Sequence, residues 1–411
     1  MKTKAKEDGA PAAAPETLAR PSGGARSQGL AERAEAERGG AGSGAERLRE
    51  GLGREGQATL GREATGAKLC ARVAVLGASG YTGQEFARLA LAHPGLEIVA
   101  LVSREHAGRP ASELLPGLDP RVAANGNGGS HAAVVDLAAV EALIAADEVD
   151  TLVTCLPHGA WRELAHDRPA LAARPARIVD LSSDFRDGEA GYVYGLPEAF
   201  RSAVHDARRV ANPGCYATAG ALALLPAAEA GWIAGPAMIG ALSGVSGAGR
   251  AAQLRTSFVE LDGGAAFYQV GTEHAHVAEM ERTLARVSPA PIALGFAPQL
   301  APMARGILLT ATAPLAGRVT LEQARRAYLE RYGDEPFARV LDDGQWPETR
   351  TVRTSNRCDV AVTTLHGGRS LLVAASLDNL VKGAAGQAIQ NLNLMLRWPE
   401  DWGLPVHGSP W

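Results

Sequence analysis

Apolar residues avoid the first 68 positions and then arrive in short, regular packets. Residues 1–68 hold no Val, Ile, Phe, Tyr or Trp, and beyond Ala their apolar side chains are Met1 and five scattered Leu. Such a segment cannot bury enough surface to offset chain entropy, so 1–68 is expected to be a disordered tail. From Leu69 the pattern changes. A mostly apolar run to Leu76 leads into Gly77-Ala78-Ser79-Gly80-Tyr81-Thr82-Gly83, and Glu85, Phe86, Leu89 and Leu91 follow with helical character. Further strand-like runs at Leu96 to Val102, Thr151 to Leu156 and Arg177 to Leu181 are separated by helix-like segments at Leu137 to Ala146 and Trp161 to Ala173. Strands alternating with helices predict an α/β fold, a Rossmann-type, doubly wound parallel sheet.

Beyond Asn212 the pattern differs. Ala217 to Leu225 is helical, whereas Ala237 to Leu242, Gly306 to Thr312, Cys358 to Leu365 and Ser370 to Ser376 are strand-like. The last two meet at His366-Gly367-Gly368-Arg369 as a hairpin. A final helix is expected from Asp378 to Arg397, with Leu380, Ala384, Ala388, Leu392 and Met395 on one stripe that packs on the first domain or on an oligomer partner. Lys382 near its first turn faces either the active site or water, water being preferred.

The 411 residues leave room for two domains. A net charge of -4 with 46% hydrophobic residues gives no reason to expect a nucleic-acid or membrane-binding surface, so the expected partner is a small molecule. There is no apolar h-region, the N-terminal Glu residues argue against a transit peptide, and no apolar run reaches membrane-spanning length. The four cysteines lack metal spacing and suggest a reducing compartment; the expected location is cytoplasmic. Cys70, Cys155 and Cys358 sit in or beside strand-like runs and are expected to be core residues.

Gly77, Ser79, Gly80, Tyr81, Thr82 and Gly83 form a strand-to-helix turn that lets the backbone approach a pyrophosphate, although the spacing G-x-x-G-x-x-G also suits a purely structural turn. At the end of the next strand stands Ser103-Arg104, where an acidic residue would hold the ribose of NAD. A hydroxyl and a guanidinium suit a 2′-phosphate, so the expected cofactor is NADP, with an exposed loop arginine as the alternative. Two further loops, Pro157-His158-Gly159 and Ser182 to Arg186, follow strand ends and belong beside the cofactor. His158 either lines the nicotinamide pocket or caps the following helix, the cap being preferred. Arg186 suits a phosphate or carboxylate grip.

Asn212-Pro213-Gly214 cannot continue a helix, so Cys215 is expected at a helix N-terminus, where the backbone favours a thiolate. Position alone fits a nucleophile or a buried core cysteine equally. The small residues of Ser243 to Gly249 beside Arg250 make a loop able to line an anion, or else a tight bend. His274, His276 and Glu279 open another helix, with His276 and Glu279 on one face. Together with Cys215 they make a Cys–His catalytic pair, and their spacing is not that of a zinc site, so no metal is expected.

In order along the chain, Gly77 to Gly83, Leu156-Pro157-His158-Gly159, Asp180 to Arg186, Tyr194-Gly195-Leu196-Pro197-Glu198, Asn212 to Tyr216, Pro302 to Gly306 and Asp378 to Gly383 resemble the N-acetyl-γ-glutamyl-phosphate reductases, relatives of aspartate-semialdehyde dehydrogenase. The resemblance covers about Ala71 to Leu396. It implies an NADP-binding domain over 69–212, completed by 377–397, and an inserted α+β catalytic and dimerisation domain over 213–376 of the semialdehyde-dehydrogenase type, leaving 398–411 as a C-terminal tail. It also implies a dimer or tetramer acting on an acyl phosphate in arginine biosynthesis: Cys215 expels phosphate to form a thioester, which NADPH reduces to the semialdehyde. Arg186, Arg250 and Asn212 are then the candidate substrate-binding residues. The chain departs from the family pattern His-Arg-His-x-Pro-Glu at Ala275 and Ala278, and Gln299 stands where His is common. Alternatives are a sister reductase of a carrier-linked aminoadipyl phosphate in a lysine route and a non-catalytic NADP-binding regulator.

Overall fold

A computed structural model describes residues 70–117, 133–250 and 254–409; the expected disordered tail over 1–68 lies outside the described residues. Six parallel strands, β1 (Ala71–Leu76), β2 (Leu96–Val102), β3 (Thr151–Thr154), β4 (Arg177–Asp180), β5 (Val193–Tyr194) and β6 (Arg209–Ala211), form a sheet of order β2-β1-β3-β4-β6-β5. Successive residues point to opposite faces of a strand, and β1 shows it. Val73 and Val75 meet Phe86 and Leu89 of the Tyr81–Ala92 helix, together with Ile389 and Leu392, on one face. Ala74 and Leu76 meet Val140, Ile144 and Trp161 on the other. Strand order reverses between β1 and β3, and the crevice outside such a switch point is where open α/β sheets bind ligands.

The second sheet is mixed and seven-stranded. It comprises β7 (Ala237–Ser243), β8 (Ala266–Phe267), β9 (Leu294–Leu300), β10 (Ile307–Pro314), β11 (Ala338–Val340), β12 (Cys358–Leu365) and β13 (Ser370–Leu377), ordered β11-β12-β13-β10-β7-β9-β8. The expected β12–β13 hairpin is present, and its turn residues His366, Gly367 and Gly368 all have positive φ. On this sheet lies the Cys215–Glu229 helix, in which every residue from Tyr216 to Ala228 is buried. A sequence apolar on all sides produces such a helix. A β-carbon at Gly220 would lie 2.3 Å from Met280 Sδ, so glycine lets the Ala275–Ala285 helix approach closely.

The C-terminal segment departs from the uniform helix expected over Asp378 to Arg397. It opens as a π-helical turn, Val381–Ala385, and only then becomes an α-helix, Gly386–Met395. Residues 398–409 pack onto the body, with Trp398 and Trp402 against His93.

Candidate active site

A cleft of about 900 Å³ runs from the glycine turn after β1 to Cys215, and its far wall is the loop Ser246 to Arg250. At one end, a β-carbon at Gly77 would lie 2.5 Å from the Cys155 carbonyl oxygen, and one at Gly83 would lie 2.4 Å from the Gly77 carbonyl oxygen. These two glycines pull helix, turn and β3 together. Gly80 caps the Tyr81–Ala92 helix without any side-chain bond to its first amides, which leaves a helix N-terminus open to an anion. Gly77, Ser79, Gly80, Tyr81 and Thr82 line the cleft here, as do Pro157 and His158, and the cradle fits a dinucleotide phosphate. Gly83 serves packing. Ser103 is buried, with its Oγ 3.2 Å from Ser79 Oγ and from His106 Nδ1, while Arg104 is exposed beyond Glu105 and His106, which line the rim.

His158 does not cap the helix after it. Its Nδ1 accepts the Ser183 amide at 3.1 Å, and the Asp184 carboxylate instead accepts the Gly159 and Arg162 amides at 2.6 and 2.9 Å. A carboxylate satisfies those orphan amides better than an imidazole held by another loop. Cys155, just after β3, packs partly buried against the hydrophobic core as expected and at the same time lines the cleft wall.

Cys215 is the first residue of its helix, with Gly214 as N-cap. A β-carbon at Gly214 would lie 2.1 Å from His276 Nε2 and 2.8 Å from Arg186 Nη1, so both side chains converge on the peptide preceding the cysteine. His276 lines the cleft, and its buried Nδ1 has no hydrogen-bond partner among the described residues. His274 is the N-cap of the Ala275–Ala285 helix, where its Nδ1 accepts the His276 amide at 3.1 Å, and it stays out of the cleft. Glu279 is buried behind both: it pairs with Arg186 at 3.0 Å and accepts the Gly214 amide and the Tyr194 hydroxyl, each at 2.8 Å. Sequence inspection missed Tyr194 and Gly214 in this network, although both stand in stretches that carry the family resemblance.

Burial raises the Cys215 thiol to about 11, against the opposing pull of the Tyr216 amide and Arg186. The thiolate expected from the helix position is therefore not the resting form. Burial also lowers His276 to about 3, so its imidazole rests neutral.

Three of the five Arg186 N–H groups are committed, to the Asn212 carbonyl, Glu279 and the Leu181 carbonyl, which fixes the guanidinium on the cleft wall. Asn212, a candidate substrate contact, lines the cleft, and its side chain is also held by protein partners. Its Nδ2 donates to the Ala384 carbonyl and its Oδ1 accepts from Asn391, so it ties β6 to the C-terminal turn. Arg250 lines the cleft and donates to the Ser79 carbonyl at 2.9 Å, bridging the Ser246 to Arg250 loop and the glycine turn. Lys382, expected in water, is fully buried and paired with Glu198 at 2.5 Å. Among the described residues, no group of three or more His, Cys, Asp or Glu could hold a metal ion, and no helix is long and apolar enough to cross a membrane.

Comparison with known proteins agrees with this architecture. Residues 72–207 match the semialdehyde dehydrogenase NAD binding domain, and 215–379 match the semialdehyde dehydrogenase dimerisation domain. The structure is similar to aspartate semialdehyde dehydrogenase II of Vibrio cholerae, with a TM-score of 0.62 at 16% identity over 80% of this chain and 98% of that one. It is similar also to the Candida albicans aspartate semialdehyde dehydrogenase with NADP, with a TM-score of 0.59 at 18% identity over 80% and 98%. In sequence, the chain is 42% identical to N-acetyl-gamma-glutamyl-phosphate reductase of Thermus thermophilus, over 81% of this chain and 99% of the relative. It is 39% identical to that of Geobacter sulfurreducens, over 81% and 97%. The chain belongs to the N-acetyl-gamma-glutamyl-phosphate reductase family, with an NAD(P)-binding domain and a dimerisation domain of the semialdehyde dehydrogenase type.

Proposed function

We propose that this chain reduces N-acetyl-γ-glutamyl phosphate to N-acetylglutamate 5-semialdehyde and phosphate in arginine biosynthesis, with NADPH as reductant and Cys215 as nucleophile. One observation carries the reading: Cys215 opens a helix at the floor of the cleft whose other end is the dinucleotide cradle, with His276 and Arg186 converging on Gly214. A binding module needs no nucleophile there.

Cys215 Sγ attacks the acyl carbon, and its proton passes to His276. The negative charge of a bound acyl phosphate favours the imidazolium, which offsets the low basicity that burial imposes on the ring. As the carbonyl re-forms, the carbon–oxygen bond to phosphate breaks and His276 returns the proton to the departing phosphate. Arg186, fixed by its three protein bonds, and Arg250 from the opposite wall neutralise the phosphoryl oxygens. Gly77, Ser79, Gly80, Tyr81 and Thr82 would hold the pyrophosphate, Pro157 and His158 would border the nicotinamide, and Ser103 and Arg104 would recognise the 2′-phosphate. When bound, the nicotinamide supplies the hydride that reduces the thioester carbon. Collapse of the resulting oxyanion breaks the carbon–sulfur bond, frees the semialdehyde and leaves a thiolate that takes up one proton. His274 and Glu279 hold His276 and Arg186 in place. The chain acts as a dimer or tetramer of itself in the cytoplasm.

The test is the reverse reaction, phosphate-dependent reduction of NADP, with the semialdehydes of N-acetylglutamate, aminoadipate and aspartate offered in parallel. A rate with the first alone is expected. No rate with any of them, while NADPH still binds, would overturn the proposal in favour of a carrier-linked substrate or a non-catalytic role.

A further inference from the structure

We propose that the buried Lys382 is a positioning residue for Cys215, acting through the π-helical turn that it anchors; the proposal rests on the reading of Cys215 as nucleophile. Three consecutive residues of that turn do three different things. Lys382 points away from the cleft, where its Nζ pairs with Glu198 Oε1 at 2.5 Å, donates to Gln390 Oε1 at 2.8 Å and lies 5.7 Å from the Phe337 ring centre. Gly383 faces the nucleophile, with a β-carbon position 2.6 Å from Cys215 Cβ. Ala384 offers its carbonyl to Asn212 Nδ2 at 3.1 Å, three residues before the cysteine.

The wide turn makes this division possible. The Ala385 amide donates to the Leu380 carbonyl and the Gly383 amide to the Asp378 carbonyl, each spanning five residues rather than four. The extra residue rotates the Gly386–Met395 helix out of ordinary helical register, and single wide turns of this kind recur at functional sites. An ammonium with no exposure costs more to bury than an apolar side chain of the same size. Its acceptors lie on two other helices, Pro197–His205 and Gly386–Met395, so its bonds fix the turn relative to both. The direct consequence is the height of Gly383 against Cys215.

Lys382→Met and Gln390→Leu in the full chain test this, with Cys215→Ala as the parallel control. For folded Lys382→Met, kcat for phosphate-dependent NADP reduction should fall about 30-fold or more, as a displaced nucleophile requires. The KM values and the NADPH Kd should stay within about threefold, because neither ligand touches Lys382. Gln390→Leu keeps the ion pair and should lose about three- to tenfold in kcat, a smaller misalignment of the same turn. A folded Lys382→Met enzyme with kcat within about twofold of the parent would overturn the proposal. Should Lys382→Met not fold, an unchanged kcat in folded Gln390→Leu would overturn it instead. Turnover by Cys215→Ala would sink the nucleophile assignment itself and so is distinguishable from either result.

Discussion

Gly383 and Cys215 touch so closely that a side chain on the first would displace the second: a β-carbon built on Gly383 lies 2.6 Å from Cys215 Cβ and 3.1 Å from its Cα. The φ of Gly383 is not in the left-handed region, so space rather than backbone conformation demands glycine there.

Gly383→Ala is therefore expected to overpack the floor of the cleft. Forcing a methyl group into such a contact costs about 1–3 kcal/mol of stability. The nucleophile moves in the process, and kcat should fall about 100-fold, while the cradle around Gly77 and Gly80 continues to bind NADPH. Steady-state kinetics beside a fluorescence titration of NADPH checks both halves. A variant with parental kcat would show that Cys215 has room to spare.

Glu279 links pH to stability. Burial alone would raise its carboxyl, but Arg186, the Gly214 amide and the Tyr194 hydroxyl together hold it below the usual range. A carboxyl depressed in the folded state contributes stability above its unfolded pKa of about 4.3, and that contribution fades as pH falls through the folded value. Glu198, held low by Lys382 against its own burial, adds in the same direction. Urea midpoints should thus drop below about pH 4.3. Glu279→Gln leaves Arg186 buried without its counter-charge and should cost about 3–5 kcal/mol at pH 7 while flattening the acid limb. A midpoint that falls equally steeply in parent and variant would contradict this linkage.

The thiol of Cys215 gives a sharper signature. With burial raising it to about 11, the thiolate fraction is small at neutral pH and grows tenfold per pH unit. Alkylation of ligand-free enzyme by iodoacetamide, followed at Cys215 by peptide mass analysis, should accelerate steadily from pH 6 to pH 9 without a plateau. The neutral His276 imidazole adds no break in that range, since it titrates near 3. A plateau near pH 6 or 7 would mean a preformed thiolate–imidazolium pair instead.

Much of this geometry could be read from the chain because local signals and tertiary structure agree. Glycines after β1 announce a close approach of helix and strand, and Pro213-Gly214 announces the start of the Cys215 helix. The misreadings concern side chains whose partners are far away in sequence. Asp184 caps a helix that begins 25 residues earlier with the Gly159 amide, which removes the capping role from His158. Glu198 buries Lys382 from 184 residues away. Lys382 also lies in the π-helical turn, which breaks the ordinary α-helical period. One signal was available: Lys382 is the single charge between Leu380 and Gly386, where every neighbour is small or apolar.

Cofactor preference is the least enclosed feature of the cleft and the easiest to alter. Ser103 is held by Ser79 and His106 after β2, and the exposed Arg104 follows it, just outside the residues that line the cleft. A guanidinium in that position is free to swing onto a 2′-phosphate, an interaction that NAD cannot make. Arg104→Ala should raise the KM for NADP about tenfold and leave that for NAD unchanged, the loss of one partly exposed charge-assisted contact. Ser103→Asp with Arg104→Ala goes further, because a carboxylate repels the phosphate and accepts from the ribose hydroxyl of NAD. The ratio of kcat/KM for the two cofactors, measured at one phosphate concentration, should then favour NAD. If the ratio does not move, Glu105 and His106, which already line the rim, are the groups that read the ribose.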